Sequence, residues 1–165
     1  MDLHRINAYS KLNNKHGVNV LTEKRNVSCL NWGATNNYPL SSIGKKVVCG
    51  RCKNSLPKPG EVLELSSDQA SKFIRNSRLP ILVDFFSPTC APCQIMHIVV
   101  ENLAKRRSGE VMTMRINVDQ NPQLATQFMV QAVPTFIIFY RGNERDRTSG
   151  AMSEEDFAFW VASRT

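Results

Sequence analysis

Residues 81–93 read Ile-Leu-Val-Asp-Phe-Phe-Ser-Pro-Thr-Cys-Ala-Pro-Cys, and this run leaves the chain little freedom. Residues 80–86 have the length and the β-branched and aromatic content of a strand buried on both faces. Pro88 and Pro92 then punctuate a turn, and a helical pattern follows. Cys90 and Cys93 therefore fall where a strand ends and a helix begins. A helix amino end presents N–H groups without partners and a partial positive charge. Both favour thiolate over thiol, which makes Cys90 the expected attacking sulfur. Cys93, one turn further on, is the expected deeper partner.

The pattern around this run is regular from residue 61 onward. Val62-Leu63-Glu64-Leu65 reads as a short strand. Ser66 and Gln69 have the spacing of a capping box, and Ala70, Phe73 and Ile74 continue one helical face. A long helix is expected from about Cys90 to Arg107, with Ile95, Ile98, Val99 and Leu103 facing inward. Residues 111–118 read as a strand. Asn121-Pro122 is a helix start, with Leu124, Ala125, Phe128 and Met129 behind it. Thr135–Tyr140 is a strand, Gly142-Asn143 a hairpin turn, and Ser153 caps a helix bearing Phe157, Trp160 and Val161. The order β-α-β-α-β-α-β-β-α implies an α/β fold, a mixed sheet with helices on both faces.

The amino-terminal third differs in kind. The net charge of +7 is concentrated there: residues 1–60 carry ten Lys/Arg and two Asp/Glu. Residues 1–26 show little apolar periodicity and are expected to be a disordered basic extension. The basic part carries no aromatic–basic interleaving, which argues against nucleic acid as a partner. Pro57-Lys58-Pro59-Gly60 reads as a linker between a segment 27–57 and a domain 61–165. No run of about 18 apolar residues is present, so no membrane span is expected. No secretory h-region precedes the first cysteine either. Five cysteines is an odd number, which speaks against a closed disulfide framework and for a reducing cytoplasm. Cys29, Cys49 and Cys52 have the spacing of a metal group instead.

These motifs resemble the thioredoxins. The shared residues are Val83-Asp84-Phe85, Cys90 to Cys93, Asn117-Val118-Asp119-Gln120-Asn121-Pro122, Val133-Pro134-Thr135 and Gly150-Ala151-Met152-Ser153, all in family order across 61–165. The segment ahead of them resembles the zinc ribbon of the thioredoxin-2 type, Cys-x2-Cys, about sixteen residues, Cys-x2-Cys. Here Trp32 stands at the second ligand position. The resemblance implies a thioredoxin fold and a protein-disulfide reductase needing no organic cofactor. It also implies disulfide-containing protein substrates and re-reduction by a flavin-dependent thioredoxin reductase; a cytoplasmic monomer is expected.

In that chemistry the Cys90 thiolate forms a mixed disulfide with substrate, which Cys93 resolves. Asp84, a carboxylate inside an apolar strand, is the candidate to take the Cys93 proton, because burial raises its pKa. Pro134 resembles the family's cis-proline opposite the dithiol, where backbone groups are left free to pair with a bound peptide. Arg115 stands where the family often has Lys, either near Asp84 or as a solvated strand-end cation. His97 is expected on the helix surface. Three positions depart from the family: Thr89 replaces a Trp, Ala91 a Gly, and Ile98 a helix-kinking Pro.

Zinc is an expectation with an incomplete ligand set: Cys29, Cys49 and Cys52 supply three thiolates where a structural site commonly has four. His4 or His16 could supply a fourth ligand. The alternative is a vestigial ribbon with free thiols, or a Cys49–Cys52 disulfide on oxidation. Trp32 is then expected to pack against the sheet. Two other functional readings stand beside the reductase: a binding or chaperone-like module using the basic segment, and a zinc-linked redox sensor.

Overall fold

The computed structural model describes residues 23–165. Two strands, β1 (Lys24–Ser28) and β2 (Thr35–Pro39), form an antiparallel hairpin. A five-stranded sheet follows, with strands in the order β3-β5-β4-β6-β7. These are β3 (Val62–Glu64), β4 (Ile81–Phe86), β5 (Met112–Asn117), β6 (Thr135–Tyr140) and β7 (Asn143–Ser149). β3 and β4 run parallel to β5, and β6 runs antiparallel to β4 and β7. The helices are α1 (Ser67–Asn76), α2 (Ala91–Arg106), α3 (Pro122–Gln127) and α4 (Glu154–Ala162).

Local signals set most element starts. Ser66 accepts from the Gln69 N–H, and the Gln69 side chain accepts from the Ser66 N–H, closing the capping box of α1. Ser153 caps α4 by accepting from the Asp156 N–H. α3 starts at Pro122, but the Asn121 side chain does not cap it; it accepts from Ser67 Oγ and donates to the Asn117 carbonyl. The β6–β7 turn is Arg141-Gly142, one residue earlier than expected, with φ values of 52° and 81°. Two successive left-handed residues match the twist of the flanking strands.

Alternation along the strands makes two apolar cores. Ile81, Val83 and Phe85 of β4 point to one face with Met112, Met114 and Ile116, under Ala70, Phe73 and Ile74 of α1. Leu82 points to the other with Phe136 and Ile138, under Met96, Val100 and Leu103 of α2 and Phe157 and Val161 of α4. The face of α2 corrects the sequence reading. Ile95 and Ile98 are 64% and 62% exposed, and the buried line is Cys93, Met96, Val100, Leu103 and Ala104. The helix carries apolar residues on two sides, so periodicity alone does not choose between them.

The amino-terminal segment is also corrected. β1 starts at Lys24, so residues 24–26 belong to the hairpin rather than to a disordered extension. The rest of that expected extension lies outside the described residues. Residues 57–60 are no free linker: Leu56 and Pro57 are buried, and Gly60 lies against the backbone of Lys105. Val27, Cys29, Tyr38, Cys49 and Leu56 share the α1-side core with Phe73 and Ile74. Gly33, at φ +65°, presses so close to the end of α1 that a Cβ there would sit 1.8 Å from the Asn76 carbonyl oxygen. Ser28 and Ser77 join their hydroxyls at 2.9 Å below this contact.

Candidate active site and cysteine cluster

Cys90 is the N-cap of α2 and Cys93 lies in its first turn. The two are joined by a disulfide, with Cα atoms 5.2 Å apart. The Cys93 N–H donates to Cys90 Sγ at 3.1 Å, so the dithiol sits on the unpartnered N–H groups of the helix start. Cys93 is 1% exposed, while Cys90 is half-buried at the rim. The two sulfurs thus differ in access.

Asp84 lies on the α2 side of β4, between Leu82 and Phe86, and is 1% exposed. Its neighbour across the parallel β4–β5 pairing is Arg115, whose Nε donates to Asp84 Oδ2 at 2.7 Å. Burial pushes the Asp84 carboxyl above its usual range, and the Arg115 guanidinium pulls it back only in part. Arg115 is itself buried, with its guanidinium 3.8 Å from the centre of the Phe86 ring. Of the two readings open for Arg115, the structure selects the ion pair.

His97 corrects the expectation of a plain surface histidine. Arg115 Nη1 lies 2.7 Å from His97 Nδ1, and His97 Nε2 lies 3.5 Å from Glu101 Oε1. Its one hint in sequence was its place four residues after Cys93, one helical turn on. A second feature had no such signal. Ser87 Oγ donates to Asp119 Oδ2 at 2.7 Å and lies 3.1 Å from Thr89 Oγ1, tying the loop before the dithiol to the loop after β5. Thr89 itself is exposed beside Cys90.

Opposite the dithiol, the Val133–Pro134 bond is cis and the Val133 carbonyl oxygen lies 3.6 Å from Cys90 Sγ. The Pro134 carbonyl accepts from the Gly150 N–H at 2.9 Å. The carbonyl facing the dithiol is therefore that of Val133.

A model of the thioredoxin family matches residues 61–163. Thioredoxin C-3 of Corynebacterium nephridii is 32% identical over 135 residues, covering 82% of this chain and 92% of the relative. The chain belongs to the thioredoxin family. A chloroplastic M-type thioredoxin of Spinacia oleracea is 29% identical, over 78% of this chain and 69% of its own. Among solved structures, a mutant thioredoxin from Halobacterium salinarum NRC-1 superposes with a TM-score of 0.59 at 28% identity. That match covers 66% of this chain and 95% of the other. The five-stranded sheet and its helices are thus a thioredoxin fold, and thiol–disulfide exchange is the chemistry of the family. The hairpin and its cysteines precede the residues that the family model matches. No helix among the described residues is long and apolar enough to cross a membrane.

Those cysteines form a second thiol group, on the other side of the sheet from the dithiol. The Sγ atoms of Cys29, Cys49 and Cys52 lie within 4.8 Å of one another, with Cys29 and Cys52 at 3.5 Å. Cys29 is met by the N–H groups of Trp32 and Asn31, and Cys49 by those of Cys52 and Arg51. The Cys52 N–H does most to lower the Cys49 thiol to about 7, whereas burial pushes the Cys29 thiol up. Two loops that aim N–H groups at sulfur, and three sulfurs at mutual contact, suit a thiophilic cation with three protein ligands. Trp32, at the second ligand position of the pattern, does not pack on the sheet as expected. Its ring is half exposed, with Arg51 4.8 Å and Lys72 5.9 Å from the ring centre. Gly33 is pressed onto α1, so the preceding indole is thrown outward.

Proposed function

We propose that this chain is a protein-disulfide reductase working through Cys90 and Cys93. The Cys90 thiolate attacks a substrate disulfide; a Cys90–substrate bond forms and one substrate thiolate leaves. Cys93 gives its proton to the Asp84 carboxylate. Its sulfur then attacks Cys90 Sγ, the mixed disulfide breaks, and the second substrate sulfur leaves as thiolate. Two electrons have passed from the dithiol to substrate, leaving the Cys90–Cys93 disulfide. The observation that carries this reading is that disulfide at the start of α2, on the sheet face that also holds a buried carboxyl whose proton affinity is raised.

The Val133 carbonyl beside Cys90 suits an extended substrate segment lying across residues 133–134, with main-chain pairing that does not depend on sequence. Thr89 offers a hydroxyl where a larger aromatic surface stands in relatives of this type, which suits a less apolar substrate edge. The cycle needs no organic cofactor in this chain, and a thioredoxin reductase of the flavin-dependent class would restore the dithiol. The reading places the protein in a reducing cytoplasm, acting as a monomer. Zinc, held by Cys29, Cys49 and Cys52, would clamp the hairpin loop to the second knuckle and take no part in the exchange.

The test is reduction of insulin with dithiothreitol as electron source. The unmutated chain should accelerate precipitation of the insulin B chain well beyond dithiothreitol alone. Equal rates for the unmutated chain and Cys90→Ser would overturn the reading.

A further inference from the structure

We propose that His97 is a positioning residue for the buried acid: it pins the Arg115 guanidinium so that Asp84 shares one oxygen with Arg115 and keeps the other for a proton. This rests on the assignment of Asp84 as acceptor for the Cys93 proton, and it gives a role to a residue outside the dithiol motif.

The guanidinium is held in three directions. Nε donates to Asp84 Oδ2 at 2.7 Å, Nη1 is 2.7 Å from His97 Nδ1, and the flat face lies over Phe86. Nε–H and Nη1–H leave different edges of one rigid plane, so two bonds and a stacked ring leave it little room to turn. Arginine has no acceptor and stays charged. His97 Nδ1 must therefore carry a lone pair, which puts the ring proton of the neutral imidazole on Nε2, toward Glu101. A proton on Nδ1 would abolish the bond to Arg115. His97 acts here as an acceptor, not as a base.

The consequence falls on Asp84. Oδ1 has no hydrogen-bond partner among the described residues, although its residue is fully buried. An arginine beside a carboxylate tends to close a two-pronged fork over both oxygens. Here only Nε reaches, and only Oδ2 is reached. An unoccupied carboxylate oxygen is what a proton acceptor needs, and a closed fork would remove it.

Among the described residues, no side chain besides Asp84 and His97 accepts a hydrogen bond from the guanidinium. β6 sets apolar Phe136 beside Asp84, β5 contributes Arg115, and α2 contributes the dithiol and His97. Around His97 the charged groups are Arg115 and Glu101, and Glu101 is also approached by Lys105 at 3.8 Å. Asp84 and His97 are the acceptors that the buried guanidinium meets. With His97 gone, the plane is free to turn and bring a second N–H onto Asp84.

The experiment follows the Asp84 carboxyl carbon by NMR through a pH titration of the full chain, both oxidised and reduced, with His97→Ala and His97→Asn. Asparagine can offer a carbonyl oxygen close to where Nδ1 stood. In His97→Ala the Asp84 midpoint should fall by about one pH unit, a tenfold loss of proton affinity. His97→Asn should stay near the parent. A His97→Ala midpoint that is unchanged or raised overturns the inference, as does a His97→Asn midpoint that falls equally. Insulin reduction by the unmutated chain is measured alongside. An inert parent would remove the reductase reading, while the titration would still decide what His97 does to Asp84. An active parent whose Asp84 ignores His97 would overturn this inference alone.

Discussion

Replacing Arg115 with Met should separate charge from packing at the buried pair. The substitution keeps an apolar stem against Phe86 but removes the donor from Asp84 Oδ2, leaving a carboxylate that is 1% exposed with neither oxygen paired. Removing one partner of a buried ion pair costs about 3–5 kcal/mol at a pH where the survivor is charged. For a chain of this length each kcal/mol moves Tm by roughly 2–4 °C, so the expected loss at pH 7 is about 6–20 °C. The sign with pH is fixed by linkage. The folded Asp84 carboxyl already binds its proton more tightly than the ordinary value of 3.8, and loss of Arg115 raises that affinity further. Its stabilising contribution is therefore complete below 3.8 and is lost as pH rises through the raised folded value. At pH 3.5 the carboxyl is protonated in both states, and the cost should shrink to lost packing, about 1 kcal/mol. The assay is thermal unfolding of the oxidised protein by circular dichroism, variant minus parent at each pH, so that other carboxylates cancel. An equal Tm loss at both pH values would show that Arg115 acts by packing alone and would refute the electrostatic account.

Cys93→Ser should stop turnover and leave substrate trapped on Cys90, seen as an added mass that dithiothreitol removes. Protein purified under reducing conditions should carry close to one zinc per chain by elemental analysis, and Cys49→Ala should lose it. A strong chelator should lower the Tm of the parent but not of Cys49→Ala, because a ligand bound only to the folded state stabilises it. Gly33→Ala should cost about 1–3 kcal/mol by thermal unfolding, since it adds left-handed strain to a collision with the Asn76 carbonyl. A Tm within 1 °C of the parent (roughly the resolution of such a scan) would mean that the knuckle does not bear on α1.

Several features were legible in the chain because they depend on neighbours close in sequence. The capping box at Ser66, the N-cap at Ser153, the order of elements after residue 61, and the placing of Cys90 and Cys93 at a strand–helix junction are of this kind. Asp84 was legible too, because a charge inside an unbroken apolar strand has few explanations other than burial. The misread positions share a different cause. Ile95 and Ile98 offered as good a stripe as Met96 and Val100, and only the anchored Cys93 decides which one faces the sheet. The hairpin was missed at Lys24 because its pairing is with residues 35–39, whose own apolar content is slight.

What the order of residues determined by itself was therefore the local chemistry: where helices start, which strand is interior, and that two sulfurs meet on a helix end. Tertiary structure decided which groups those residues answer to. Arg115 reaches Asp84 across 31 positions and His97 across 18, and Cys29 meets Cys52 across 23. Such contacts leave no periodic trace, because they arise only when parallel strands come into register and a helix settles on one of its two possible faces.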